Sequence, residues 1–337
     1  MKTKRLVMVF ALGLGPVVAL ALLWLLINLM APESHLAWAQ GGTGVIRVAT
    51  TGTDAPGCGS ETNPCRTVQY AVDLAQPGDE VWVAAGVYTD IHARAGITQM
   101  VYISKTITIR GGYSADFSAW DPGVYTSTLD AQRQGRVFYI LGPVDPLATP
   151  ITVTLEGLLI TGGDAGALGQ SGGGVAASWA TVVVSRCTVL SNTTGLGPNT
   201  ADRGGGIYFY QCRATLVGNV IKDNRAFAYY GGGAGVFISS SPALVTGNLF
   251  QGNRSSALGG GLRIHYCDPI TVTGNTFRDN VGFRKGGGIV IGSSNGLLAD
   301  NRIISNTAAG GAGEGGGGIY VHTTDTHNTI IPHNETL

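Results

Sequence analysis

The chain has 337 residues, and 21 basic residues balance 21 acidic ones. Its 53 glycines lack a third-residue period and its prolines number only 13, which excludes collagen, while 44% hydrophobic residues exclude a disordered chain. What remains is a glycine-rich folded protein with no basic surplus to suggest a nucleic-acid partner.

Residues 1–39 read as an export signal or a membrane anchor. Lys2, Lys4 and Arg5 precede an uncharged apolar run from Leu6 to Met30, and Ala37, Trp38 and Ala39 form an A-x-A cleavage site. The run is long enough to span a bilayer if it stays uncleaved. Either way the remainder is expected outside the cytoplasm, with membrane contact only through this segment. Without it, 18 basic residues face 20 acidic ones, a net charge of about −2.

Residues 40–150 form a capping region with irregular first coils. VIRVAT from Val45 is a strand. In RTVQYAVDLAQPGD, Val68, Ala71, Val72 and Ala75 share one helical face that Pro77 and Gly78 terminate. Such a helix is suited to cover the open end of a stack of strands, which would otherwise pair with another molecule. EVWVAAGVY, TITIRGGYS and GRVFYI follow as strands. Cys58 and Cys65 bracket a short polar loop in an exported chain and are expected to be bonded, whereas Cys187, Cys212 and Cys267 lie in apolar segments as small buried hydrophobes.

Residues 151–337 repeat. NVIKDN at Asn219, NLFQGN at Asn248, NTFRDN at Asn275 and NRIISN at Asn301 are steps of 29, 27 and 26 residues. CTVLSN puts Cys187 at the same place in an earlier copy, and Asn328 continues the spacing in an incomplete last one. Glycine triplets keep the rhythm at Gly172, Gly204, Gly231, Gly259, Gly286 and Gly315, and a short alternating segment follows each. Alternation over four or five residues signals strands, and a unit of this size cannot bury its own apolar face. The units must therefore stack, each strand pairing in parallel with its counterpart about 4.8 Å away. The fold class is all-β, a parallel β-helix or solenoid with a short N-terminal capping helix. Ile221, Phe250, Phe277 and Ile303 are expected to form an internal stack. Asn192, Asn224, Asn253, Asn280 and Asn306 form an asparagine ladder at one turn, with the triplets at another corner. The sequence stops at Leu337 in mid-coil, so a continuation is expected.

The segment NPCRTVQYAVDLAQPGDEVWVAAGVY, with TIRGGYSADFSAWDP after it, resembles the N-terminal part of secreted bacterial proteins of the right-handed parallel β-helix, pectin-lyase-like group. The later coils resemble the repeats of polymorphic outer membrane proteins, through FQGN at Phe250, FRDN at Phe277 and GGGI at Gly204, Gly286 and Gly316. The resemblance spans residues 45–337 and implies right-handedness. It does not fix an activity, because this scaffold serves lyases, hydrolases, adhesins and inert surface proteins.

No catalytic residue, metal ligand set or cofactor is assigned. Asp223 and Asp279 share a column but stand two coils apart, too far to share one calcium ion, and paired carboxylates of a hydrolase are missing. GGAGEG at Gly310 and FRKGGG at Phe283 read as turn glycines, and Arg278, Asp279, Arg284 and Lys285 as solvent-facing. The candidate binding strip lies on the strands after the triplets. Tyr208, Phe237, Arg263, Val290 and Tyr320 form one outward column, and Tyr210, Ser239, His265, Gly292 and His322 the next. Aromatics with Arg and His suit stacking on sugar rings, so Tyr208, Tyr210, Phe237, Arg263, His265, Tyr320 and His322 are candidate carbohydrate contacts. Ordinary cross-strand stacking explains the same residues. The expectation is a monomeric, exported, non-enzymatic surface scaffold that touches a polysaccharide or cell-surface glycan. The alternative is a lyase or hydrolase acting on an acidic polysaccharide.

Overall fold

The computed structural model describes residues 44–337 apart from 95, 146, 167–169, 195–202, 228–230, 311–314, 323–328, 331–333 and 337. Residues 1–39, expected to be an export signal or anchor, and Glu314 and Asn328 thus lie outside the described residues. Among those described, no helix is long and apolar enough to cross a membrane.

Strands pair in sequence order along three long ladders. Sheet A runs from Val45–Val48 to Thr329–Ile330, sheet B from Gly86–Tyr88 to Glu335–Thr336, and sheet C from His92–Arg94 to Ile319–His322. A narrow sheet D of two-residue strands runs from Thr193–Thr194 to Thr307–Ala308. The pairings are parallel except where His92–Arg94 turns back on Ile97–Ile103. Inward residues of sheets A, B and C merge into one apolar core.

The corners explain how so short a unit can close. Left-handed backbone recurs at Gly172, Trp179, Arg186 and Ser191, and again at Gly204, Gln211, Gly218 and Asp223, so the steps are 7, 7 and 5 residues in both coils. The coils starting at Gly233 and Gly286 repeat those steps, and the one starting at Gly259 differs only by a middle step of 8, from Tyr266 to Gly274. What varies is the last arc back to glycine. It takes 13 residues from Ser191 to Gly204 and 10 from Asp223 to Gly233. From Gly252 to Gly259 and from Asp279 to Gly286 it takes 7. The conserved corner glycine is therefore Gly233 rather than Gly231, and Gly316 rather than Gly315. At this corner a side chain would collide with its own coil: a Cβ on Gly286 would lie 2.2 Å from Val290 Cγ2 and 2.6 Å from the Ile289 carbonyl.

Left-handed non-glycine residues cost about 1 kcal/mol each, and ladders beside them offset that cost. Asn192, Asn224, Asn253, Asn280 and Asn306 form the expected ladder. Each side-chain oxygen accepts from the backbone N–H and the amide of the preceding rung, as Asn253 does from Asn224 at 3.1 and 3.0 Å. A second ladder joins Asn219, Asn248, Asn275, Asn301 and Asn334 at the corner between sheets A and B. Its first rung is the Cys187 N–H, which donates to Asn219. The last rung is Asn334, not Asn328, because the final coil is longer than the ones before it. A third corner alternates Cys212, Ser241, Cys267 and Ser294, each cysteine N–H donating to the next serine hydroxyl. Cys212 and Cys267 are thus separated by a serine rung, and both are free, as is Cys187. Between the two asparagine ladders, Val189, Ile221, Phe250, Phe277 and Ile303 stack in the interior, with the phenylalanine rings 4.4 Å apart and nearly parallel.

Helix α1, Val68–Leu74, lies across the N-terminal end of the core with Val68, Ala71 and Val72 buried, and Ala75 buried just beyond its end. Thr67 caps it by accepting from the Tyr70 N–H, and the Asp54 carboxylate in turn accepts from Thr67 and from the Arg66 N–H. At the other end Lys105 donates to the Val72 and Ala75 carbonyls. The Cys58–Cys65 disulfide closes the loop ahead of the helix, with Cα atoms 5.0 Å apart.

Candidate functional site

The corner glycines of sheet C launch strands whose outward residues align as the sequence predicts. Tyr208 pairs with Phe237, then Arg263, Val290 and Tyr320, while Tyr210 leads through Ser239, His265 and Gly292 to His322. The two columns are not equally accessible. Phe237 is only 1% exposed, so it is not a ligand contact. Its ring is packed under the Arg203 and Arg263 guanidiniums, 5.2 and 5.0 Å from the ring centroid. Tyr208 and Tyr210 are half-buried toward the N-terminal side, Tyr208 tilted against Phe237 and Tyr210 edge-on to Trp179.

The other four candidates meet. Arg263, His265, Tyr320 and His322 line one open groove of about 420 Å³ together with Leu258, Arg284 and Lys285. The groove opens over the coils that close with the two 7-residue arcs, those ending at Gly259 and Gly286. Lys285, expected to face solvent, instead reaches across the groove: its Nζ lies 3.1 Å from the Tyr320 hydroxyl and 4.6 Å from the ring centroid. Leu258 and Lys285 continue a bridge column that begins at Arg203 and Gly232. Varying arc lengths hide this column from a fixed-period reading, although counting back from each corner glycine recovers it. Arg278 and Asp279 are exposed and paired with each other at 3.1 Å, away from the groove.

Gly292 shapes the floor. A Cβ there would come within 2.8 Å of His265 Cδ2, so the missing side chain is what lets the imidazole lie along the axis toward the next coil. Burial, then Arg263, Arg203 and His322, depress the His265 pKa to about 4, leaving a neutral imidazole at neutral pH. Burial and Arg203 lower Arg263 to about 10, so it remains a cation. Among the described residues that line the groove are cations and hydrogen-bond donors and no carboxylate.

The His265 shift predicts a pH effect. The folded state binds this proton more weakly than the unfolded chain, whose histidine titrates near its ordinary value of about 6.5. Its contribution to stability is complete above that value and is lost as pH falls toward about 4. Between pH 7 and pH 4 the melting temperature of the parent should fall more steeply than that of His265→Gln. Parallel curves would show that His265 is not held neutral.

The buried thiols are poor nucleophiles. Burial pushes Cys187 up to about 12 and Cys212 and Cys267 up to about 11. Asp54, Cys58 and Cys65 lie close together, but the two sulfurs are bonded to each other and Asp54 caps α1.

Residues 170–334 match the family model for the right handed beta helix region. The chain folds as a right-handed parallel β-helix. Comparison of the β-helix with curated proteins yields no match. Among solved structures it is similar to pectate lyase Pel9A, at 13% identity over 88% of this chain and 80% of that one, with a TM-score of 0.38. A rhamnogalacturonan lyase aligns at 14% identity over 78% and 73% of the two chains, with a TM-score of 0.24. A GH136 lacto-N-biosidase from Eubacterium ramulus aligns at 10% identity over 87% and 67%, with a TM-score of 0.20. None of these likenesses transfers an activity to the β-helix.

Proposed function

We propose that this β-helix is an exported, monomeric scaffold at or beyond the cell surface that binds acidic polysaccharide in the sheet C groove without turning it over. The reading is supported by Arg263, Arg284 and Lys285 lining one groove with Tyr320 and a neutral His265. Cations attract carboxylate or ester anions, an aromatic face packs on a sugar ring, and a groove along the axis accepts a chain rather than a single sugar.

The second reading, a lyase or hydrolase on the same polymer, draws support from His265, a neutral imidazole able to take a proton. Titration calorimetry against acidic and neutral oligosaccharides separates the two when paired with assays for unsaturated products and new reducing ends. The expected result is acid-selective binding with no turnover, and about tenfold weaker binding for Arg263→Gln, the loss of one charge-assisted hydrogen-bonding group. Turnover that disappears in His265→Gln would replace the scaffold reading with the enzymatic one. Equal binding of neutral and acidic chains would end both.

A further inference from the structure

One corner carries side chains that its turn does not use. Trp179, Gln211, Ser240, Tyr266 and Ser293 directly follow the sheet C strands of successive coils, all with left-handed backbone. Each N–H donates to a carbonyl of the next coil, as Tyr266 does to Gly292 at 3.1 Å and Trp179 to Tyr210 at 3.2 Å. The turn is thus satisfied by backbone, whatever side chain stands there.

Left-handed backbone is unfavourable for a bulky residue. At the corners running from Arg186 to Asp300 and from Ser191 to Ser305 it is taken by glycine, aspartate, serine or, once, arginine. Here a tryptophan and a tyrosine take it. Tyr266 gains little packing in return, since it is 60% exposed, and Trp179 is half-buried. An aromatic ring held in water on a strained turn points to a ligand that covers it.

The corner is continuous with the groove. The Tyr266 ring centroid lies 3.9 Å from that of His265, which lines the groove. Back along the axis the column passes the exposed Ser240 and Gln211 and reaches Trp179 three rungs, or about 14 Å, away. These residues carry no charge, so they suit the apolar face of a sugar ring rather than its carboxylate. A sugar residue in an extended chain is comparable in length to one rung. A chain leaving the groove over His265 can therefore set one ring on Tyr266 and reach Trp179 about three sugars later.

We infer that this corner continues the groove as a stacking path for the same polysaccharide, with Tyr266 and Trp179 as its platforms. This rests on the acidic-polysaccharide reading and adds a chain-length requirement to it.

The test titrates a trimer and an octamer of galacturonate into the full chain and three variants. Tyr266→Ser and Trp179→Gln copy the residues that hold the same corner in the adjoining coils, Ser240 and Gln211, and Tyr266→Phe keeps the ring. The octamer should bind about tenfold tighter than the trimer, or more. Tyr266→Ser and Trp179→Gln should each weaken octamer binding by about tenfold and leave trimer binding unchanged. The salt dependence of octamer binding should stay as it is, since stacking on an uncharged ring releases no counterions. Tyr266→Phe should bind as the parent does. Equal affinity for trimer and octamer, or octamer binding indifferent to both Tyr266→Ser and Trp179→Gln, would overturn the corner path and leave the groove reading intact. Binding of neither oligomer would overturn both. An effect of Tyr266→Ser alone would overturn the assignment of Trp179, and equal losses in Tyr266→Phe and Tyr266→Ser would replace ring stacking with a contact to the hydroxyl.

Discussion

Asn253→Ala is expected to lower stability by about 4 kcal/mol, on the order of 1–3 kcal/mol for each buried group it orphans. The Asn253 amide donates to the Ile221 carbonyl at 2.8 Å and to Asn280 Oδ1 at 2.9 Å, and its oxygen receives both the Asn224 backbone N–H and the Asn224 amide. Truncation leaves the Ile221 carbonyl, the Asn224 N–H and one Asn224 amide hydrogen without partners. Asn253 is fully buried, so water does not replace them. Asn306 makes similar bonds from a half-buried site, where water can enter. Asn306→Ala should therefore cost only about 1 kcal/mol. Urea unfolding followed by two probes measures both, since a stack of coils need not unfold in one step. Equal losses at the two positions would mean that the ladder is not what satisfies the turn.

Phe277→Ala should cost about 3–5 kcal/mol, the usual range for emptying a buried aromatic site. Phe277 is fully buried and stacks on Phe250 with ring centroids 4.4 Å apart. Phe277→Ile should cost much less, about 1.5 kcal/mol or below, because the same column holds Ile303 in the next coil and Ile221 two coils before. A double-mutant cycle with Phe250→Ala should show coupling of about 0.5–1.5 kcal/mol, since the two rings contact each other. Additive losses would mean that the rings are buried independently and that their stacking adds nothing.

The parts of this fold that were legible in the sequence are those that recur at fixed steps. The Phe277 column and the Asn253 ladder could be read because the A, B and adjoining C arcs hold nearly constant lengths from coil to coil. Cys212 and Cys267 were legible as small buried residues, but not the Ser241 and Ser294 hydroxyls that accept from their N–H groups. Asn334 was missed, and Gly233 and Gly316 were misplaced, because the arc between the ladder and the corner glycine has no fixed length. The same variation decided the site. Phe237 points outward by alternation, yet two arginines cover it, and Lys285 reads as a solvent cation until its coil is stacked against Tyr320. Alternation gives the direction of a side chain. It does not say what the neighbouring coils lay over it.

Steps of 7, 7 and 5 residues, with a single exception of 8, confine change to one part of each coil. Three sides of every coil are held by the ladders and vary by no more than the one extra residue between Tyr266 and Gly274. The fourth side closes equally well with 7 residues or 13. Lys285 sits at the end of one such arc, so changes in arc length fall beside the groove and not in the ladders. Selection can thus recut the recognition surface one coil at a time by small insertions and deletions, while the column that keeps the molecule folded is inherited unaltered.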